Sequence, residues 1–322
     1  MKAMLVNRKN EFVWNTVPDP VREENKVIIE VYAAALNRAD LLQRAGNYPP
    51  PPGWPEWMGL EVSGTIMEAS ATSRWKTGDK ACALLGGGGY AEKVAVPADM
   101  SLPVPEGLSM EEAAGIPEVY ATAYLNFYLE AGIHAGDTVF IQAGASGLGL
   151  AAIQLAKLVG ARVITTVGSD EKAEFVRRLG ADLVINRKKE SIEAVLAANP
   201  VDIALDCVSG PGFGKCLNTM AFGGRWIIIA ALGGNRSEII LDTIYKKRLR
   251  IIGSTLRSRT SEMKAEILQS LRKMFWSKFS SGKIKSEIYR VLPMSQVEEA
   301  HRILAANENT GKVILTLKQG ER

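Results

Sequence analysis

The 322-residue sequence predicts an α/β protein in which a doubly wound parallel sheet interrupts a second, mostly β domain. Three observations predict it. Residues 1–100 alternate short β-like runs with turn residues, strands alternate with helical stretches from Asp137 onward, and after about Thr260 that alternation ends. The length suits two cores, because a single core stops growing at about 250–300 residues. The expected segments are a first part of the β domain over 1–121, the α/β domain over 122–260 and a return segment over 261–322. The simplest assembly sends that tail back to the first β segment and leaves a cleft between two lobes.

In the first segment, β-like runs cover 2–6, 27–33, 64–69, 80–85 and 90–96. Between them, the prolines at 49–52 with Gly53, and four glycines at 86–89, cannot continue a helix or a central strand. The four glycines precede a strand and not a helix, so they read as a hairpin turn and not as a phosphate loop. The α/β segment offers six strands, over 138–142, 162–167, 183–186, 202–207, 225–231 and 249–253, the count of a full doubly wound sheet. The last of them would lie at an exposed sheet edge, where pairing across a two-fold axis makes a homodimer. The return segment reads as a helix over 262–275 and a strand over 286–291. A second helix follows, opened by the capping box Ser295-Gln296-Val297-Glu298 with Val297, Ala300, Ile303 and Leu304 on one face, and then a strand over 313–317.

Composition excludes several classes. At 47% hydrophobic and 23% charged, the chain resembles an ordinary globular protein and not a disordered one. Apolar runs such as 226–232 fall short of the roughly 18 residues that cross a bilayer. The first residues lack the extended apolar region of a secretory signal, so a cytoplasmic location is the default expectation. Cys82, Cys207 and Cys216 show no C-x-x-C spacing, which argues against a disulfide framework or a structural zinc lobe. They read as buried thiols. His134 and His301 are the only histidines, and both read as solvent-side, leaving no obvious source for a catalytic zinc site or a triad. The net charge of +4 is modest, and the basic run Lys246-Lys247-Arg248-Leu249-Arg250 reads as a solvated face before a nucleic-acid patch.

The strongest motif is Ala143-Gly144-Ala145-Ser146-Gly147-Leu148-Gly149, placed between the strand at 138–142 and a helix over 150–159. A tight turn there brings backbone N–H groups and a helix N-terminus to a pyrophosphate, as in a Rossmann domain. Ser146 stands where G-x-G-x-x-G has its middle glycine, and its small side chain still permits close approach. The second strand ends in Val167-Gly168-Ser169, without the acid that takes the ribose hydroxyls of NAD. Small residues leave room for a 2′-phosphate, with Ser169, Lys172 and Arg187 as its candidate partners, so NADPH is the expected cofactor. Asp170 and Glu171 read as first-turn helix residues.

The sequence resembles the medium-chain dehydrogenase/reductase superfamily, and within it the zeta-crystallin-like NADPH quinone oxidoreductases of the tumour-suppressor-inducible branch. The segments that carry the likeness are Ala35-Leu36-Asn37-Arg38-Ala39-Asp40-Leu41, Tyr48-Pro49-Pro50-Pro51-Pro52-Gly53, Gly59-Leu60-Glu61-Val62-Ser63-Gly64, Ile116-Pro117-Glu118 and Leu256-Arg257-Ser258-Arg259. Zinc-dependent relatives carry Gly-His-Glu at Gly59-Leu60-Glu61 and a cysteine at Asn37, so the resemblance is to the zinc-free branch. It implies a GroES-like catalytic domain, NADPH, a quinone-type substrate, and a homodimer or homotetramer, with no nucleic acid and no membrane partner. It also implies that Asn37 reaches the nicotinamide and that Tyr48 stands on the substrate side, the two being the candidate catalytic residues. Thr122, Gly144, Ser146, Gly147 and Leu148, with Gly168, Ser169 and Lys172, are the implied cofactor contacts. Arg187 replaces the family's usual tyrosine, and a cation suits a phosphate.

Each candidate also has a structural reading. Tyr48 is otherwise an aromatic in a stiff loop, and Asn37 a turn residue ending a strand. Asp40 and Glu61 read as partners of cations such as Arg38 or Arg44, while Glu118 and the pair Arg257 and Arg259 stay open. The expected activity is NADPH-dependent reduction of quinones or similar conjugated carbonyls without zinc. Two alternatives are an alkenal or enoyl-thioester reductase with a basic entry at Arg38, Arg44, Arg257 and Arg259, and an NADPH-binding structural or RNA-associated protein.

Overall fold

A computed structural model describes residues 1–317 and divides the chain into two compact units, Met1–Ala121 with the chain from Arg257 onward, and Thr122–Leu256. The first unit begins with β1 (Lys2–Val6), β2 (Phe12–Thr16) and β3 (Lys26–Ala35), followed by helix α1 (Arg38–Arg44). β4 (Glu61–Glu68), β5 (Lys80–Leu84), β6 (Lys93–Pro97) and β7 (Ser101–Pro103) complete its first segment, with α2 (Met110–Ala114) and α3 (Pro117–Tyr124) after them.

The second unit contains β8 (Thr138–Ile141), α4 (Gly147–Val159), β9 (Arg162–Val167), α5 (Asp170–Arg178), β10 (Leu183–Asn186) and α6 (Ile192–Ala198). It continues through β11 (Ile203–Asp206), α7 (Phe213–Leu217), β12 (Arg225–Ile228), α8 (Leu241–Lys246) and β13 (Arg250–Gly253). Its six strands are all parallel, in the order β10-β9-β8-β11-β12-β13. That is the Rossmann order, with the reversal between β8 and its neighbours on either side. Parallel pairing requires crossovers, which bury both faces of the sheet and explain its nearly unbroken apolar strands. On one face Trp226, fully buried, meets Phe213 edge to face with ring centres 5.3 Å apart. Its indole N–H donates to Asp206 at 3.0 Å.

The return segment adds α9 (Ser261–Ser280), β14 (Ile288–Pro293), α10 (Val297–Ala305) and β15 (Lys312–Thr316) to the first unit. Its sheet runs β14-β15-β3-β4-β5-β7, with β6 also on β3. β15 pairs antiparallel with β3 through Ile314 opposite Ala35, so the end of the described chain supplies a strand beside its beginning. Ala33, Ala35, Ala114 and Ile314 form a fully buried cluster there, and small residues let α2 press onto the sheet.

The structure corrects several sequence readings of the fold, among them that of three buried thiols, since Cys207 is only half-buried. Gly86 to Gly89 do not make a hairpin, because β5 pairs with β4 and β7 while β6 pairs with β3. They are glycines because the loop presses against its neighbours: a Cβ on Gly86 would lie 2.6 Å from the Trp54 ring and one on Gly89 2.9 Å from Val62. The capping box at Ser295 is also absent. Residues Met294–Gln296 form a 3₁₀ turn and α10 starts from Gln296 without a side-chain cap, although Val297, Ala300, Ile303 and Leu304 are all buried as expected.

Nor is His301 solvent-side. It is 2% exposed, edge-on to Phe12 with ring centres 4.7 Å apart, and neither ring nitrogen has a hydrogen-bond partner among the described residues. Burial first, and Arg44 second, push its pKa down to about 3. The folded state therefore holds the neutral imidazole, and the contribution is present above the ordinary value of 6.5 and lost as pH falls towards 3. The variant His301→Leu should gain stability relative to the parent as pH drops through that window. Melting temperatures of both proteins at pH 7 and pH 4 check it, and a difference that does not change with pH would refute the assignment.

Candidate functional site

In the second unit, the chain leaves β8 through Gln142 and enters a turn pinned from β9. The Ala143 N–H donates to the Thr166 hydroxyl at 3.0 Å and the Gly144 N–H to the Thr166 carbonyl at 2.9 Å. Ala143 sits at φ +56°, a left-handed conformation uncommon outside glycine and of the kind stored at binding turns. The two outer glycines are fixed by contact. A Cβ on Gly144 would fall 2.1 Å from the Thr165 hydroxyl, and one on Gly149 2.4 Å from the Ala143 carbonyl oxygen.

Ser146 caps α4, its hydroxyl accepting the Gly149 N–H at 3.0 Å. The N–H groups of Gly147 and Leu148, in the first turn, have no intrahelical acceptor and point out of the helix end, an arrangement that suits an anion. The helix behind them is anchored, with Leu150 through Ala156 buried and Gly160 ending it at φ +89°. These residues fit a dinucleotide: free first-turn donors, a helix dipole and glycines where a side chain has no room.

At the end of β9 a Cβ on Gly168 would meet the Arg187 guanidinium at 3.0 Å. Ser169 caps α5 by accepting the Lys172 N–H at 3.3 Å. Lys172 has its pKa lowered by burial and then by the charge of Arg187. Asp170 accepts from Asn186 at 2.8 Å and pairs with Lys189 at 2.5 Å, as a first-turn residue of α5. Thr122, in α3, accepts through its carbonyl from the Asn126 side chain at 2.7 Å.

Asp206 escaped the sequence reading. It is fully buried at the end of β11 and accepts from the Val208 and Ser209 N–H groups at 2.8 and 2.7 Å and from Gln142 at 3.0 Å. With Trp226, these donors tie the ends of β8 and β11 to β12.

In the first unit, Asn37 is the N-cap of α1 and not merely a turn residue. Its N–H donates to Asp40 at 2.7 Å, and Asp40 also receives the Gly59 N–H at 3.2 Å. The Asn37 carboxamide is fixed at both ends. Nδ2 donates to Glu61 at 3.0 Å and to the Ala35 carbonyl at 3.4 Å, while Oδ1 accepts from Lys312 at 2.9 Å. A carboxylate on one side and an ammonium on the other leave one orientation for the amide.

Lys312 is the centre of this cluster. Its ammonium, 5% exposed, lies 2.6 Å from the fully buried Glu61 carboxylate and donates to the Leu36 carbonyl at 2.7 Å. The other Glu61 oxygen accepts the Glu118 N–H at 2.8 Å, in the first turn of α3. Glu61 and Asp40 are therefore structural partners, but not of the cations expected. Arg38 donates to Asn307 at 2.6 Å, and Arg44 lies on the Phe12 ring and pairs with Glu298 at 2.9 Å.

Burial raises the Asp40 carboxyl to about 6, against the pull of its N–H donors and of Lys312. Burial, and then Glu61, raise the Glu118 carboxyl to about 8, so Glu118 carries its proton at neutral pH. The Tyr90 phenol, fully buried, is held well above its ordinary value by burial and by Asp40. Arg257, open in the sequence, is buried against the Tyr48 ring, with the guanidinium carbon 4.3 Å from the ring centre.

The residues expected of a catalytic zinc do not fit one. Glu61 is engaged by Lys312, Asn37 and the buried Leu60 offer neither thiolate nor imidazole, and no group of three His, Cys, Asp or Glu gathers among the described residues. No helix among them is long and apolar enough to cross a membrane.

Residues 23–106 match the alcohol dehydrogenase GroES-like domain and residues 147–273 the zinc-binding dehydrogenase family. The human quinone oxidoreductase is 30% identical over 306 residues, covering 92% of this chain and 91% of its own. Quinone oxidoreductase-like protein 2 of Bos taurus is 28% identical over 98% of this chain and 92% of its own. Among solved structures, the quinone oxidoreductase of Thermus thermophilus, described with its NADPH complex, superposes with a TM-score of 0.84 at 31% identity, covering 98% of this chain and all of that one. With this similarity running through both units, the chain belongs to the medium-chain dehydrogenase/reductase superfamily, in its quinone oxidoreductase branch, and is an oxidoreductase built for a nicotinamide cofactor.

Proposed function

We propose that this protein uses NADPH to reduce quinones or similarly conjugated carbonyl compounds, without a bound metal. The observation that carries the reading is the pinned glycine turn at 143–149, whose outer glycines have no room for a side chain. Gly144, Ser146, Gly147, Leu148 and Thr122 hold the nucleotide. Gly168, Ser169, Lys172 and Arg187 hold its 2′-phosphate, a role supported by the Arg187 guanidinium beside Gly168 and by the pairing of Asp170 with Lys189 and Asn186. When bound, the reduced nicotinamide supplies a hydride to the acceptor. Asn37 orients that ring by accepting a hydrogen bond through the remaining lone pair of Oδ1, because its N–H donors are taken. Tyr48 orients the acceptor.

Zinc independence is supported by the Lys312 ammonium on Glu61 and by the ligand types at Asn37 and Leu60. Of the four cations of the thioester alternative, Arg38 and Arg44 are engaged by Asn307 and Glu298, which leaves its basic entry to Arg257 and Arg259. The RNA alternative loses support: Lys246 pairs with Asp242, Lys247 donates to two carbonyls of residues 218 and 220, and Arg248 lies on Phe222. The edge strand β13, with Ile251 39% exposed, supports a homodimer paired along that edge, and a sedimentation mass of one chain would overturn it. Three free cysteines suit a reducing compartment such as the cytoplasm.

The test is NADPH oxidation with and without 1,4-naphthoquinone and a strong chelator. Quinone-dependent oxidation should survive the chelator, and activity abolished by it would refute the metal-free reading. The variant Arg187→Ser should lower kcat/KM for NADPH about 10- to 100-fold, the worth of a charge-assisted hydrogen bond to phosphate. NADH should be affected less than about 3-fold, because it has no 2′-phosphate to lose. Equal losses with both nucleotides would move Arg187 out of the phosphate site.

A further inference from the structure

Arg257 is 8% exposed, and its charge has no ion-pair partner in contact among the described residues. One nitrogen, Nη2, donates to Gln43 at 2.9 Å, while Nε and Nη1 are buried without a hydrogen-bond partner. Its surroundings are fixed. Gln43 is itself held by the Glu56 carbonyl at 2.8 Å, and the buried Lys264 donates to the Arg257 carbonyl at 2.8 Å. Asp40 and Glu118 act on the guanidinium only at longer range. Buried guanidinium groups normally spend their donors on carboxylates or carbonyls, because an unclaimed charged N–H out of water is costly. A fold that locks one nitrogen and leaves two unclaimed has prepared them for an oxygen it does not itself supply. The half-buried Tyr48 ring lies over the guanidinium, its centre 4.3 Å from the guanidinium carbon.

We infer that Arg257 binds the acceptor oxygen that becomes negatively charged during reduction, with Tyr48 as the ring that covers the guanidinium until the acceptor displaces it. The inference rests on the reading of the preceding section and adds the residue that receives the charge. Hydride arrival at a conjugated carbonyl forms one C–H or O–H bond, breaks a π bond and moves its electron pair onto an oxygen. The acceptor is reduced and the nicotinamide oxidised, and a proton from water completes the quinol or the saturated ketone. Donors already in place for that oxygen favour the charged state over the neutral acceptor, which is where acceleration arises.

The experiment compares the parent with Arg257→Met and Arg257→Lys in two arms. In the first, without nucleotide, 4-nitrophenolate serves as a planar oxyanion probe, its binding followed by the shift of its absorption band. The parent should bind it, and Arg257→Met should bind at least about 20-fold more weakly, a loss within the range of one charge-assisted hydrogen bond. In the second arm, kcat/KM for 1,4-naphthoquinone should fall about 100-fold in Arg257→Met, as on loss of an oxyanion donor. Arg257→Lys, which keeps the charge but not the fork, should fall in between. Dissociation constants for NADPH should stay within about 2-fold, and the melting temperature should hold or rise, because an unpaired buried charge has been removed.

Three results would overturn the inference: no phenolate binding by the parent, equal binding by the parent and Arg257→Met, or a lower melting temperature with parallel loss of NADPH binding in both variants. A parent that binds the phenolate but oxidises no NADPH with any quinone refutes the quinone reading alone. The first arm still decides Arg257.

Discussion

Replacing Lys312 by methionine should destabilise the protein by about 3–5 kcal/mol, the cost of leaving a buried carboxylate without its cation. The ammonium is 5% exposed and the Glu61 carboxylate fully buried, so water cannot take the place of the lost partner. Three elements feel the loss. Glu61 receives the Asn37 side chain and the first turn of α3, and Lys312 itself ties β15 to the end of β3 through Leu36. The double variant Glu61→Gln with Lys312→Met should recover part of the loss, because neither charge of the pair remains buried while the single amide oxygen still accepts one of the two N–H donors, from Asn37 or from Glu118. Chemical denaturation of the parent, both single variants and the double variant gives the coupling directly. A single-variant loss under about 1 kcal/mol would show that the pair does not organise the site.

Gly149→Ala should weaken NADPH binding at least about 100-fold, the order of loss that accompanies a displacement of about 1 Å in a positioned group. Alanine is ordinarily better than glycine in a helix by about 1 kcal/mol, so propensity alone predicts a gain in stability. Contact decides otherwise here. The new methyl group would lie 2.4 Å from the Ala143 carbonyl oxygen and 2.6 Å from that of Gly144, both backbone atoms that no side-chain rotation can clear. The turn must open, and the N–H groups of Gly147 and Leu148 move with it. Titration of NADPH against parent and variant, with circular dichroism to show that the sheet persists, measures the effect. Unchanged affinity would mean that the pyrophosphate is held elsewhere.

The glycine turn and the two helix caps of the second unit were legible because their signals are local. Gly144, Ser146 and Gly149 lie within six residues, and Gly168 and Ser169 close the next strand, so neighbours in the chain announce the turn, the cap and the space left for a phosphate. The glycines at 86–89 misled because glycine marks tight turns and close approaches alike, and only the facing Trp54 and Val62 distinguish them. Asp206 carries no local mark at all. Its five donors come from Gln142 after β8, from Trp226 in β12 and from the loop that follows β11.

By itself, the sequence determined the alternation of strands and helices in the second unit, its parallel character and the glycine turn after its first strand, since periodicity and turn chemistry are properties of adjacent residues; the short helices α1, α2 and α3 and the strands β2 and β7 were not legible in it. The tertiary structure alone decided which polar side chains are buried and with whom. Lys312 meets Asn37 across 275 positions, Arg257 meets Gln43 across 214, and His301 lies against Phe12 on a helix that looked exposed. A lysine or histidine at a surface-like position in its own helix or strand is buried only by what the rest of the chain places over it, and that partner is not written beside it.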